Sequence, residues 1–331
     1  KNINGLSGSQ LSFISSSLYL NKQVDFFYIF QKKESALLFK NDFENLSNEK
    51  TLFFSNSNQI SNKEISQNTK SIHLINEEKR NILVSYKEAI SKKIPNYLNF
   101  QNKVLQLKVD DQINTNIITE KLYENDFENV EFVTKPGEFS IRGYIIDVFS
   151  FSDEKPCRIV LSDDTIEMIT IFEPETQLSI NKIEKITISP DVENVNLMDS
   201  DSYIFSHLKK NTIIWIEDKN KMISEFEKNI QLKIKDFNSI NFTESRKNKL
   251  KNQIIFKSTE QPSFNKDLYL LEENILKNKS LGIQTIITTN SDLQKKRFNN
   301  IFNKLKIKED YHCCNINLSK GFIDFDLNIA I

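Results

Sequence analysis

Apolar residues change rhythm along the chain. Residues 24–30, VDFFYIF, are almost continuously apolar, as in a strand covered on both faces, and 51–54 and 82–86 repeat the pattern on a smaller scale. Between them, 13–20, 33–46 and 87–90 have helical spacing, while polar 55–67 reads as a surface connection. Strand and helix in alternation predict an α/β layer with a mainly parallel sheet. Near residue 104 the pattern changes to alternation typical of an edge strand at 104–109, with one short helix at 119–125. Four of the six prolines, at 136, 156, 174 and 190, fall in the segment from there to 190. Residues 139–149 read as one long strand, and 157–161 and 165–172 as two more joined by the turn Ser162-Asp163-Asp164, together an antiparallel meander. After Pro190 the first rhythm resumes. Strands are expected at 212–216, 252–257, 283–288 and 311–316, and helices at 219–230, 266–278 and 291–305, the last capped by Asn290 or Ser291. The expected architecture is an α/β domain in two parts, 1–104 and 191–331, with a β-rich domain, 105–190, inserted between them.

Composition supports folded domains: the hydrophobic fraction is only 38%, but 25 phenylalanines supply large apolar side chains. A formal net charge of −1 gives no global field for nucleic acid or an anionic membrane. Cys157, Cys313 and Cys314 are too few and too poorly spaced for a disulfide framework or a zinc site, and Cys313 and Cys314, as strand neighbours beside His312, point to opposite faces. His73 has no nucleophile arranged around it. With no signal peptide and no apolar run near ~18 residues, the expected location is the cytoplasm. The first residue is not Met and the last five, Leu327 to Ile331, are mostly apolar, which suggests a piece of a longer protein.

Two features carry candidate chemistry. Only five of the 44 basic residues are arginine, yet Arg142 and Arg158 both stand on the predicted meander. A guanidinium grips a carboxylate with two parallel bonds, which lysine cannot do. They could be free for a partner, so that substitution weakens binding at an unchanged melting temperature, or paired internally with Glu138, Asp147 or Glu167. The second feature is Gly5-Leu6-Ser7-Gly8-Ser9-Gln10-Leu11-Ser12, in the place where a phosphate-binding loop opens a helix. Such a loop needs a final glycine and a lysine, and here Gln10 and Leu11 occupy those places. The motif alone is equally an unrelated Gly/Ser turn. Glu217-Asp218 imitates an acidic pair that would hold magnesium, but with no loop lysine it reads as a strand end and helix start.

The order Pro136-Gly-Glu-Phe-Ser-Ile-Arg-Gly143, then Ile145-Ile-Asp-Val-Phe149, Pro156-Cys-Arg-Ile159 and Phe172-Glu-Pro-Glu-Thr-Gln177 resembles the module shared by the bacterial transcription-repair coupling factors and the excision-nuclease subunit UvrB. Gln261-Pro-Ser-Phe-Asn265 is similar to the coupling factors too. The resemblance implies a split, degenerate P-loop-type (RecA/UvrB-like) α/β domain carrying a docking domain for the damage-recognition subunit UvrA. Arg142 and Arg158 match the two docking arginines. Leu161 and Ser162 come next, and Ser162 stands where the family often has an aromatic that packs on the partner. Gly5, Gly8, Gln10, Leu11 and Ser12 match a phosphate loop that is intact in UvrB and decayed in coupling factors. The resemblance implies no catalytic residue, metal or cofactor in this portion. It assigns ATP, magnesium, RNA polymerase and duplex DNA to C-terminal parts of a parent translocase. UvrB or another P-loop ATPase, and a structural module with a decayed docking surface, are the alternatives.

Overall fold

The computed structural model describes residues 1–56, 62–75, 79–193, 202–246, 252–265, 267–302 and 311–331, and has a mixed α/β fold. Lys1–Thr51 with Asn211–Ile331 forms one compact unit, and Leu52–Lys210 forms another. The sequence rhythm divides the chain at 104 and 190, whereas residues 52–104 group with the β-rich segment on their C-terminal side.

The first unit contains parallel strands in the spatial order Gln253–Ile255, Asn2–Asn4, Asn238–Thr243, Ile213–Glu217, Phe26–Phe30. Phe26–Phe30 is buried at every position, and Tyr28 lies in register with Trp215, their rings stacked at 5.3 Å. Cover on both faces removes any need for polar alternation, hence the unbroken apolar run. A second, mixed sheet runs Ser258–Glu260, Phe322–Asp324, Ile329–Ala330, Gln284–Thr289, Tyr311–Asn315. Asp267 caps the helix Leu268–Ser280, and the Ser291 hydroxyl accepts the Gln294 N–H at the start of Asp292–Phe302. The helix expected at 219–230 is instead two, Lys219–Ser224 and Lys228–Lys235. Lys266 and residues 303–305, expected to be helical, lie outside the described residues. No helix among the described residues is long and apolar enough to cross a membrane, and none of their His, Cys, Asp and Glu side chains cluster in a way that could hold a metal ion.

In the second unit, Leu52–Phe53 pairs in parallel with Ile82–Tyr86. Part of the expected 55–67 connection belongs to a helix, Asn62–Ile75. Its apolar spacing is hidden because Asn68 and Thr69 are buried on it. Asn68 exchanges bonds with the Ser55 backbone at 2.8 and 2.7 Å, and the Thr69 hydroxyl accepts the Val192 N–H. A helix at Tyr97–Lys103, capped by Asn96, also escapes the apolar pattern.

Residues 105–188 begin and end on one ladder: Leu105–Lys108 runs antiparallel to Lys185–Ile188, with Leu105 opposite Ile188. Between them lies a six-stranded sheet in the order Ser179–Ile183, Thr165–Phe172, Cys157–Ser162, Ile145–Val148, Glu138–Arg142, Glu128–Asn129. The first five strands are antiparallel to their neighbours, and the last joins in parallel. Phe139, Ile146, Val148, Ile159, Leu161 and Ile169 form the inner face, closed by Ile118 and Leu122 of the helix Thr115–Glu124. The expected long strand 139–149 is a hairpin. Its two-residue turn is Gly143-Tyr144, and Gly143 takes φ 61°, a conformation that side chains disfavour. Arg142 and Arg158 are therefore not on neighbouring strands, because Ile145–Val148 lies between theirs.

Candidate functional site

Strand alternation and register assemble the site. Ser140, Asp147, Arg158 and Thr170 form one cross-strand row on the outer face of the six-stranded sheet, and Arg142, Ile145, Val160 and Met168 form the next. A bulge between Ile166 and Met168 sets the phase of Thr165–Phe172. Asp147 is the centre. Its side chain is fully buried, on the strand between the two arginines. Arg158 donates from Nε to one carboxylate oxygen at 2.7 Å and from Nη2 to the other at 2.9 Å, the two parallel bonds of a fork. Arg142 donates from Nη2 to Asp147 as well, and from Nη1 to the Glu131 carbonyl at 3.1 Å. The Arg158 guanidinium carbon sits 4.9 Å from the centre of the Phe172 ring. The bonds to Asp147 favour the charged form of Arg158 and push its pKa up.

Two guanidinium groups share one carboxylate, so the cluster keeps a positive charge. The side chains of Arg142 and Arg158 are 42% and 21% exposed, enough for a partner to reach them. Of the three internal carboxylates that the sequence left open, Asp147 is the partner. Glu138 is committed elsewhere: against the cost of its burial, the N–H groups of Thr134 and Lys135, at 2.7 and 3.0 Å, hold its carboxyl below the usual range. What singles Asp147 out among the three is its place inside Ile-Ile-Asp-Val-Phe, since a charge in the middle of an apolar strand needs a partner.

The other expected docking residues divide. Ser162 is exposed at the strand end, whereas Leu161 is buried in the core of the domain and offers a partner nothing. Tyr144, at the hairpin turn, is 60% exposed, and its carbonyl accepts the Leu161 N–H at 2.8 Å. Ile145, Val160 and Met168 are half-buried beside the guanidinium groups.

In the other unit, Gly5 and Gly8 do lie between a strand, Asn2–Asn4, and a helix, Gln10–Asn21, and Gln10, Leu11 and Ser12 open that helix. Their polar groups are engaged by the chain itself. The Gly5 N–H donates to the Thr243 carbonyl, the Ser9 N–H to the Lys320 carbonyl, and the Ser7 N–H to Gln10 Oε1. Gln10 is buried and donates from Nε2 to Asp324 at 2.6 Å, while accepting from the Ser258 hydroxyl at 2.7 Å. Gly8 takes φ 52°, and a Cβ there would collide with the Gly321 carbonyl. The Ser9 hydroxyl donates to Asp42 at 2.6 Å, and Asp42 also accepts the Ser319 N–H at 2.7 Å. A cavity of about 100 Å³ at the carboxyl ends of the parallel strands is lined by Leu11, Phe39, Asp42, Glu217, Glu244 and Lys320, among others. Burial raises the Glu217 carboxyl above its usual range, and the Gln31 N–H at 2.6 Å partly offsets this. Asp218 adopts a left-handed conformation and makes no side-chain cap to the helix after it.

Residues 105–193 match the model of the UvrB interaction domain. A transcription-repair-coupling factor of Bacillus subtilis (strain 168) is 28% identical over 197 residues, which is 57% of this chain and 17% of the relative. That of Borreliella burgdorferi is 26% identical over 301 residues, 70% of this chain and 26% of the relative. That of Staphylococcus aureus (strain MRSA252) is 34% identical over 111 residues, 34% and 9% of the respective lengths. The chain thus spans 26% or less of each of these relatives. The outer sheet face, with two arginines closed on one buried aspartate, lies within the residues that match the UvrB interaction domain, in a chain similar to the transcription-repair-coupling factors.

Proposed function

We propose that this chain is a non-catalytic docking portion of a transcription-repair coupling factor. Its matched domain holds UvrA, and a longer parent delivers the complex to RNA polymerase stalled at damaged DNA. Polymerase and duplex DNA contacts, and an ATP-driven motor, belong to other parts of that parent. The observation that carries the docking reading is the positively charged Arg142–Asp147–Arg158 cluster on an accessible sheet face of the matched domain. A planar fork of this kind suits a partner carboxylate. Ser162 offers no aromatic beside it, so the complex is expected to be held by charge and fork geometry rather than by a ring anchor. Immobilised UvrA should retain the purified chain at micromolar concentration and physiological salt. No retention would remove the docking reading.

The α/β parts, 1–104 and 191–331, are read as a P-loop-type domain that has lost its nucleotide, with 105–190 as the insertion. The acidic cavity supports this, because Asp42, Glu217 and Glu244 line the region where phosphate would have to sit. The N–H groups of Gly5, Leu6, Ser7 and Ser9 are also engaged by the chain's own oxygens. Even the double variant Gln10→Gly, Leu11→Lys, which supplies both missing motif residues, should therefore show no micromolar Mg-ATP binding in titration calorimetry. A clear isotherm with either the unmodified chain or that variant would mean that the loop is still open to phosphate. It would also favour the rival UvrB or P-loop ATPase reading.

A further inference from the structure

Arginine side chains on an open sheet face sample many rotamers, and ordering them when a partner arrives subtracts from affinity. Here the ordering is already done. Asp147 meets Arg158 through both carboxylate oxygens and Arg142 through one, from a strand that lies between theirs. The Glu131 carbonyl and the Phe172 ring hold the outer sides of the two guanidinium groups. Among the described residues, Nη1 of Arg158 has no hydrogen bond, so part of the fork still points away from Asp147.

We propose that Asp147 is a positioning residue for docking: buried beneath the interface, it presents Arg142 and Arg158 as one pre-formed acceptor for an acidic side chain of the partner. This rests on the reading of the domain as a UvrA-docking module. Two other roles would leave the same geometry. Asp147 could serve stability alone, or it could simply dampen the positive charge that attracts the partner. These differ in what removal of its charge does to binding.

The test is Asp147→Asn in the full chain, with UvrA affinity measured as a function of salt and thermal unfolding recorded alongside. Asparagine keeps the shape, but its amide hydrogens face a guanidinium and one acceptor oxygen is lost. The expected result is a roughly tenfold or greater loss of affinity at physiological salt, measured well below the melting temperature. A steeper salt dependence should accompany it, because the cluster becomes more positive while its geometry loosens. Unchanged affinity would mean that Asp147 serves stability alone, and raised affinity that it only dampens charge; either overturns the proposal. Should the variant fail to fold, nitrogen-15 NMR of the unmodified chain decides. The Arg158 Nε–H should exchange slowly with water, and its guanidinium should rotate slowly, before UvrA is added; fast exchange and free rotation would overturn the proposal. Arg142→Ala with Arg158→Ala separates the two levels. If that pair keeps full UvrA affinity, the docking reading falls and takes this inference with it. If the pair loses binding while Asp147→Asn keeps it, only the inference falls.

Discussion

Replacing Arg142 and Arg158 together by alanine should abolish UvrA retention and also lower the melting temperature of the 52–210 unit. The second effect comes from Asp147, whose fully buried carboxylate receives its ion pairs from these two residues. Removing the partners of a buried charge costs about 3 to 5 kcal/mol, far more than an exposed pair is worth. For a unit of this size that corresponds to a drop of roughly 6 to 20 °C. The sequence alone favoured lost binding at an unchanged melting temperature, and the pairing with Asp147 corrects it. Arg158→Lys should recover part of both losses, since an ammonium restores the charge without the two parallel bonds. A double variant that melts with the unmodified chain would show that Asp147 finds other partners. Lowered stability with full UvrA retention would assign the cluster to the fold alone.

Acid should weaken the same unit through His207, which is buried to 2% exposure. Burial holds its pKa down at about 4 against an ordinary 6.5, and the hydrogen bond to the Pro95 carbonyl, with Nε2 at 2.8 Å, only partly opposes this. Among the described residues Nδ1 is buried without a hydrogen-bond partner, so a proton arriving there would be stranded. As pH falls below 6.5 the unfolded chain takes up the proton first. The stability held above that pH is then lost progressively down to about pH 4, about 3 kcal/mol in all for a shift of this size. His207→Gln keeps a donor for Pro95 but does not titrate. Urea unfolding of the two proteins at pH 7 and pH 4 should therefore give a smaller acid loss for the variant by about that amount. Equal losses would mean that His207 does not govern this transition.

Whether the sequence discloses or conceals a feature depends on where its physical cause lies. Phe26–Phe30 and Ile213–Glu217 are legible because burial of both faces is written in their own side chains. The Asn62–Ile75 helix is hidden because Asn68 and Thr69 look exposed until Ser55 and Val192 supply their partners. Gly143 looks like one more strand residue between Arg142 and Tyr144; the register that makes it a turn is set by neighbouring strands. In the candidate docking site the arginines stand out against a lysine-rich background, but the acid between them does not, because its role depends on which strand lies in the middle. In the loop, Gln10 and Leu11 announce the missing phosphate contacts locally. The carbonyls of Lys320 and Gly321, which crowd Ser9 and Gly8, come from more than 300 positions away.

The ladder that joins Leu105–Lys108 to Lys185–Ile188 changes what the surrounding chain experiences. Opposed residues in such a ladder have Cα atoms about 5 Å apart, the span of a tight turn. Bringing together the ends of a free loop of more than 80 residues carries an entropic cost that rises with the logarithm of its length. Here residues 105–188 bear that cost while forming their own sheet, and the flanking chain meets two ends already side by side. A module closed in this way can be moved between hosts, or exchanged for one with a different outer face, at the cost of a short splice. Its outer face can then diversify without the neighbouring chain having to refold around it.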